Sequence, residues 1–155
     1  MLTSRAISAM AAELGTMRVT EQIDALDTLA VNSKQYLIVP RVVATTLSLP
    51  ILIILFDAFG ALSAYLISIT ALGVNKTQFM DTINMYLDLS DIYTGVLKGM
   101  VFGFLVGSIG TYIGYNAGGG AKGVGEATTN AVVLGSITVF VVDYFLSSLF
   151  LILGW

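Results

Sequence analysis

Apolar residues run almost without interruption through three stretches of the chain, Val42 to Ile69, about Ile92 to Tyr115, and Ala131 to Leu153. A hydrocarbon core of roughly 30 Å needs about 20 apolar helical residues, so each stretch is long enough to cross it. All three read as helices, because an open strand edge in lipid would leave backbone groups unpaired. Pro50 inside the first predicts a kink. Between the first two spans, Phe79, Ile83, Tyr86 and Leu87 recur at helical spacing and predict an interfacial helix outside the membrane, with Ser90-Asp91 as the N-cap of the second span.

Ahead of the first span the periodicity is weaker but still helical. Ile7, Met10, Ala11 and Leu14 share one face, and no apolar core with a small-residue cleavage site marks a signal peptide. From Thr16 to Ala30, Val19, Ile23, Leu26, Leu29 and Ala30 share a face opposite Glu21, Gln22, Asp24 and Asp27, which predicts one short amphipathic helix. It either rests on headgroups or docks on a protein. Its acidic polar face favours the protein, since headgroup-binding helices usually carry Lys and Arg there. Residues 1–41 are therefore expected to form a cytoplasmic segment.

Composition agrees with the pattern. Of 155 residues, 56% are hydrophobic and 11% charged, against about a quarter charged in a soluble domain. The expected fold class is an all-α polytopic membrane protein. The net charge of -3 argues against nucleic-acid binding. With no Cys and no His, disulfides, Cys/His zinc sites, thiol nucleophiles and His-based triads are excluded. Arg5, Arg18, Lys34 and Arg41 precede the first span, whereas Asp81, Asp88 and Asp91 accompany Lys76 after it. The positive-inside rule then places the N-terminal segment in the cytoplasm and the C-terminus, with Trp155 as an interfacial anchor, outside.

Residues 11–26, AAELGTMRVTEQIDAL, closely resemble the signature of the MlaE-type permease family, membrane subunits of ABC transporters that move phospholipid with MCE-domain partners. The resemblance continues at Tyr36-Leu37, Pro40-Arg41, Leu49-Pro50, Leu89-Ser90-Asp91, Lys98 and Phe102-Gly103, then at Gly119-Gly120-Ala121, Gly123-Val124-Gly125, Ala127-Thr128-Thr129, Ala131-Val132-Val133 and Asp143-Tyr144-Phe145-Leu146. Ser4-Arg5 stands where the family usually has Gly-Arg. Family members are also longer, so this chain corresponds to the C-terminal part, the last three spans of five.

The resemblance implies a homodimeric permease core in the bacterial inner membrane, an ABC ATPase subunit, an MCE-domain lipid-binding protein and phospholipid cargo. It also implies that the cytoplasmic helix couples to the ATPase through Arg18, Glu21, Gln22, Asp24 and Asp27, with Ile23 and Leu26 packing beneath. No cofactor, metal or bond chemistry is expected of the permease. Gly118, Gly120 and Gly123 spell G-x-G-x-x-G but follow a membrane helix instead of a strand, and Ala121-Lys122-Gly123 breaks a Walker A match. That stretch is expected to be a flexible turn, with Thr128 or Thr129 helping to start the last helix.

Gly95, Gly99, Gly103 and Gly107 recur every four residues, followed by Gly110 and Gly114. Such a groove lets helices approach closely in lipid, either inside one subunit, at a subunit interface or along a sliding seam. Asp57 and Asp143 lie within spans, where a charge costs at least ~2.5 kcal/mol. Each either bonds a neighbouring helix, lines a polar cavity or couples to protons. Lys98 either snorkels to headgroups or meets a lipid phosphate or external partner. Two rival functions follow from these residues and from the short chain: a proton-coupled secondary transporter, and a non-transporting accessory membrane fragment.

Overall fold

Asn32 opens the longest helix by accepting the Gln35 amide on its side-chain oxygen at 3.3 Å, and from there no glycine interrupts the chain until Gly60. The computed structural model describes residues 1–153, with the backbone alone described at Leu89; Gly154 and Trp155, and with them the expected anchor, lie outside the described residues. Its elements are α1 (Leu2–Val19), α2 (Gln22–Thr28), α3 (Ser33–Thr70), α4 (Lys76–Tyr86), α5 (Leu89–Tyr115) and α6 (Gly120–Leu153), with no strand among the described residues. The fold is all-α, and α3, α5 and α6 are long and apolar enough to cross a membrane. At 38 residues α3 is about 57 Å long, so its ends extend beyond the hydrocarbon layer.

The helix α5 is central. It packs on α3, α1 and α6, while α1 lies against both α5 and α6. The interior holds Ile7, Met10 and Ala11 of α1 with Val106 of α5 and Ala131 of α6. Most large apolar side chains of the spans point outward instead, among them Phe56, Phe59 and Phe140. That inside-out arrangement suits lipid as solvent, where packing of small residues rather than hydrophobic burial draws helices together.

Glycines make that packing possible. A Cβ built on Gly103 would lie 2.6 Å from Thr45 O and 2.7 Å from Thr46 Cα of α3. One on Gly99 would lie 3.2 Å from Pro50 Cα, and one on Gly107 would lie 3.0 Å from Val42 Cα. Further along α5 the partner changes: Gly110 and Gly114 meet Ile7 and Ala11 of α1. The groove is thus filled by α3 and α1 of the same chain. Pro50, which has no amide hydrogen to donate along α3, is buried opposite Gly99, one turn from the closest backbone approach at Gly103.

Several boundaries differ from those expected. Thr16 to Ala30 is not one helix: α1 ends at Val19, Glu21 takes a left-handed backbone (φ 61°), and α2 starts afresh at Gln22. The Thr20 hydroxyl bonds back to Thr16 O at 2.8 Å, closing α1 as β-branched Val19 and Thr20 weaken it. Residues 1–41 accordingly divide among α1, α2 and the start of α3. The helix α1 stands among the spanning helices because its face of Ile7, Met10 and Ala11 fits the glycines of α5, and residues 33–41 are the first turns of α3.

At the start of α5 the N-cap is Asp88, whose amide donates to Asp91 Oδ2 at 3.1 Å, so Ser90 lies within the helix. The expected interfacial helix corresponds to α4, capped by Asn75, with Phe79 set edge-on to Tyr65 of α3 at 5.5 Å. The glycine-rich turn is shorter than expected. Gly119 and Gly120 have positive φ (83° and 68°), and a side chain on Gly123 would collide with the Gly118 carbonyl. Thr128 and Thr129 do not start α6; they lie within it and bond back to Val124 O and Gly125 O.

Candidate functional site

The candidate coupling residues gather at one end of the bundle. There Ile23 is fully buried against Leu14 of α1 and Leu37 of α3, with Leu26, Met17 and Tyr115 packed around them. This apolar seat turns the other face of α2 outward, leaving Glu21, Gln22, Asp24 and Asp27 exposed. Arg18 donates to Asp24 Oδ1 at 2.6 Å across the break between α1 and α2, so two of the candidate residues hold each other. The Arg18 guanidinium and the Lys34 ammonium each lie 6.0 Å from the Tyr115 ring centroid.

Tyr115 ties this end together, because its hydroxyl lies 2.9 Å from Ser33 Oγ at the first residue of α3. Substituting Tyr115→Phe removes that bond and keeps the ring, and is expected to lower stability by about 1 kcal/mol in a detergent thermal melt. Nearby, Arg41 Nη2 donates to Glu13 Oε1 at 2.7 Å and Nη1 to Leu37 O, linking α3 to α1. The short helix is therefore mounted on both α1 and α3.

The intramembrane polar residues lie toward the opposite end, and here the structure makes a connection that single-residue reading missed. Lys98 of α5 donates to Asp143 Oδ1 of α6 at 3.1 Å and to Ser147 Oγ at 2.7 Å. Each charge answers the cost of the other. The available signal was positional: Lys98 and Asp143 lie nearly the same number of residues from Gly120, so an antiparallel hairpin of α5 and α6 brings them level. Asp57 is separate. It is exposed on α3, makes no ion pair among the described residues, and lines a cavity of about 640 Å³ with Asp91, Ile54, Ile92 and Val96.

Of the glycine stripe, Gly99, Gly103 and Gly107 are buried against α3, whereas Gly95 is looser, with Ile53 Cγ2 4.0 Å from where its Cβ would be. Among the described residues no group of His, Cys, Asp and Glu is arranged to hold a metal ion.

A family model described as Permease MlaE matches residues 1–149. A probable ABC transporter permease protein of Rickettsia bellii is 42% identical over 150 residues, covering 97% of this chain and 58% of the relative. A probable ABC transporter permease protein of Synechocystis, slr1045, is 43% identical over 146 residues, covering 94% of this chain and 56% of the relative. The Arabidopsis thaliana protein Trigalactosyldiacylglycerol 1, chloroplastic, is 43% identical over 143 residues, covering 92% of this chain and 41% of the relative. The chain thus spans less than two thirds of the length of the curated relatives it matches. With nearly all of its residues matched and three helices long and apolar enough to cross a membrane, this integral membrane protein belongs to the MlaE permease family.

Proposed function

We propose that the chain is the membrane subunit of an ATP-driven transporter that moves phospholipid between membranes. In this reading two copies form the core, a separate ABC ATPase binds the α2 end, and an MCE-domain protein meets the other end. The observation that carries it is the mounting of α2: an exposed acidic face held on a buried apolar seat shared by α1 and α3. A groove on an ATPase could grip that face, and any displacement of α2 would pass through Ile23 to Leu14 and Leu37. The printed names of the bacterial relatives, ABC transporter permease, support the motor, and the lipid name of the Arabidopsis relative supports the cargo.

Charge supports the orientation. Arg18, Lys34, Arg41 and Lys122 lie at the α2 end, whereas Asp81, Asp88 and Asp91 accompany Lys76 at the other. By the positive-inside rule this distribution supports a cytoplasmic α2 end, with the protein in a bacterial inner membrane. Acyl chains would find apolar surface such as the cavity of about 490 Å³ lined by Ile38, Val42, Ile109 and Leu134. A proton-driven carrier built on Asp57 or Asp143 is the weaker reading: Asp143 is engaged by Lys98, which leaves it Asp57 alone.

The test is charge reversal at Glu21→Lys with Asp27→Lys, which leaves the Arg18–Asp24 pair intact. Recovery of the ATPase with the purified full-length permease is expected to fall at least about tenfold, or roughly 1.4 kcal/mol, while its size-exclusion profile is unchanged. Undiminished co-purification would overturn the coupling role. In reconstituted vesicles, labelled-lipid transfer should need ATP and persist when the proton gradient is collapsed. No transfer at all would favour an accessory fragment.

A further inference from the structure

Among the described residues, every position with a left-handed backbone is a glycine except two, Glu21 (φ 61°) and Ala30 (φ 57°). Those two bracket the seven residues of α2. At Gly73, Gly119 and Gly120 the chain supplies the residue that takes this conformation without steric cost. At both ends of α2 it does not, and a Cβ there crowds the following carbonyl. Each turn is closed by its own backbone. The Glu21 amide donates to Arg18 O at 3.2 Å; after α2, the Ala30 amide donates to Asp27 O at 3.1 Å and the Val31 amide to Leu26 O at 3.2 Å. The last two bonds form a Schellman motif, in which glycine is the usual residue at the position Ala30 holds. Both conformations are therefore set within residues 18–31.

Backbone strain of this kind persists only where the surroundings over-determine it. Three contacts do so here. Ile23 is fully buried against Leu14 and Leu37, Arg18 holds Asp24 at 2.6 Å across the Glu21 turn, and Asn32 opens α3 directly after the Ala30 turn by accepting the Gln35 amide. Once Ile23 leaves its seat, Glu21 and Ala30 can each relax by rotating about φ to the right-handed or extended region. The residues between them stay helical through bonds such as Ala25 N to Glu21 O at 2.9 Å. We infer that Glu21 and Ala30 are the pivots on which α2 swings as a rigid unit, and that the strain held at them lowers the cost of lifting Ile23 from its seat. The short helix is thus poised rather than locked: one buried side chain and one ion pair seat it, and two strained turns load it against them. The inference rests on the coupling role of α2 proposed above, in which an ATPase displaces this helix.

Ala30→Gly isolates the strain, since it leaves Ile23, the Arg18–Asp24 pair and the acidic face as they are. Hydrogen exchange of the full-length permease in nanodiscs reads how often α2 opens. Glycine removes the crowding but gives the displaced turn more freedom, which offsets part of the gain. Exchange at the amides of residues 25–31 is therefore expected to slow about threefold, with α1 and α5 unchanged. Ala30→Val, whose branched side chain suits the left-handed region worst, is expected to speed it at least about tenfold. Reconstituted with the ATPase, A30G is expected to retain that subunit as wild type does, yet to transfer labelled lipid about threefold more slowly, because α2 must be lifted from a deeper well. A merely structural turn predicts a steadier protein with undiminished transfer. Unchanged or faster exchange in A30G, or undiminished transfer beside slowed exchange, would overturn the inference. The coupling reading fails separately: if wild type retains no ATPase, that reading falls, while slowed exchange confined to α2 still supports the pivots and unchanged exchange still overturns them.

Discussion

Replacing Gly103 by alanine is expected to separate α3 from α5 and to be among the most damaging single-methyl additions in the chain. The added Cβ would lie 2.6 Å from Thr45 O and 2.7 Å from Thr46 Cα, both backbone atoms of a helix that cannot bend aside locally. Overpacking a tight interior costs about 1–3 kcal/mol, and a backbone collision belongs at the upper end. Alanine also gains about 1 kcal/mol of helix propensity over glycine, which sets the sign elsewhere on the stripe. At Gly95 the nearest atom is Ile53 Cγ2 at 4.0 Å, so Gly95→Ala is expected to be neutral or stabilising. In thermal melts in one detergent, Gly103→Ala should therefore melt lower than the parent and Gly95→Ala should not. Equal shifts would mean that α3 is not seated in the groove.

Asp143→Ala is the second large effect. It leaves the Lys98 ammonium in the membrane with Ser147 as its remaining side-chain partner. Removing one member of a fully buried pair costs about 3–5 kcal/mol. With 49% of the Asp143 side chain exposed, about 2–3 kcal/mol is the appropriate expectation. Lys98→Met in the Asp143→Ala background removes the orphaned charge, so the double variant should be more stable than Asp143→Ala alone. A double-mutant cycle on melting temperature measures the coupling, and additive losses would show that the pair contributes nothing.

The spans were legible because the solvent dictates them: about 20 apolar residues are required, and three stretches supply them. The N-terminal ends of α3 and α6 were less legible. Polar residues such as Lys34 and Lys122 ended the apolar runs, yet the helices continued past them into the headgroup region. The break at Thr20–Glu21 was hidden for a different reason. Val19, Ile23 and Leu26 lie at helical spacing on either side of it, and a single left-handed residue leaves no mark on periodicity. Lys98 and Asp143 were each singled out, but their union depended on the register between α5 and α6.

By itself the chain's pattern of apolar and polar residues determined the helical class, the membrane as solvent and the presence of a short acidic helix ahead of the first span. These are local properties, set by composition and period over a few turns. Only the tertiary structure decided which helix fills the glycine groove, that α1 belongs to the bundle, and that Ile23 anchors α2 to two helices at once. It alone joined Lys98 to Asp143. Those outcomes depend on which backbones can approach most closely, a question of steric fit between residues far apart in the chain, on which local patterning is silent.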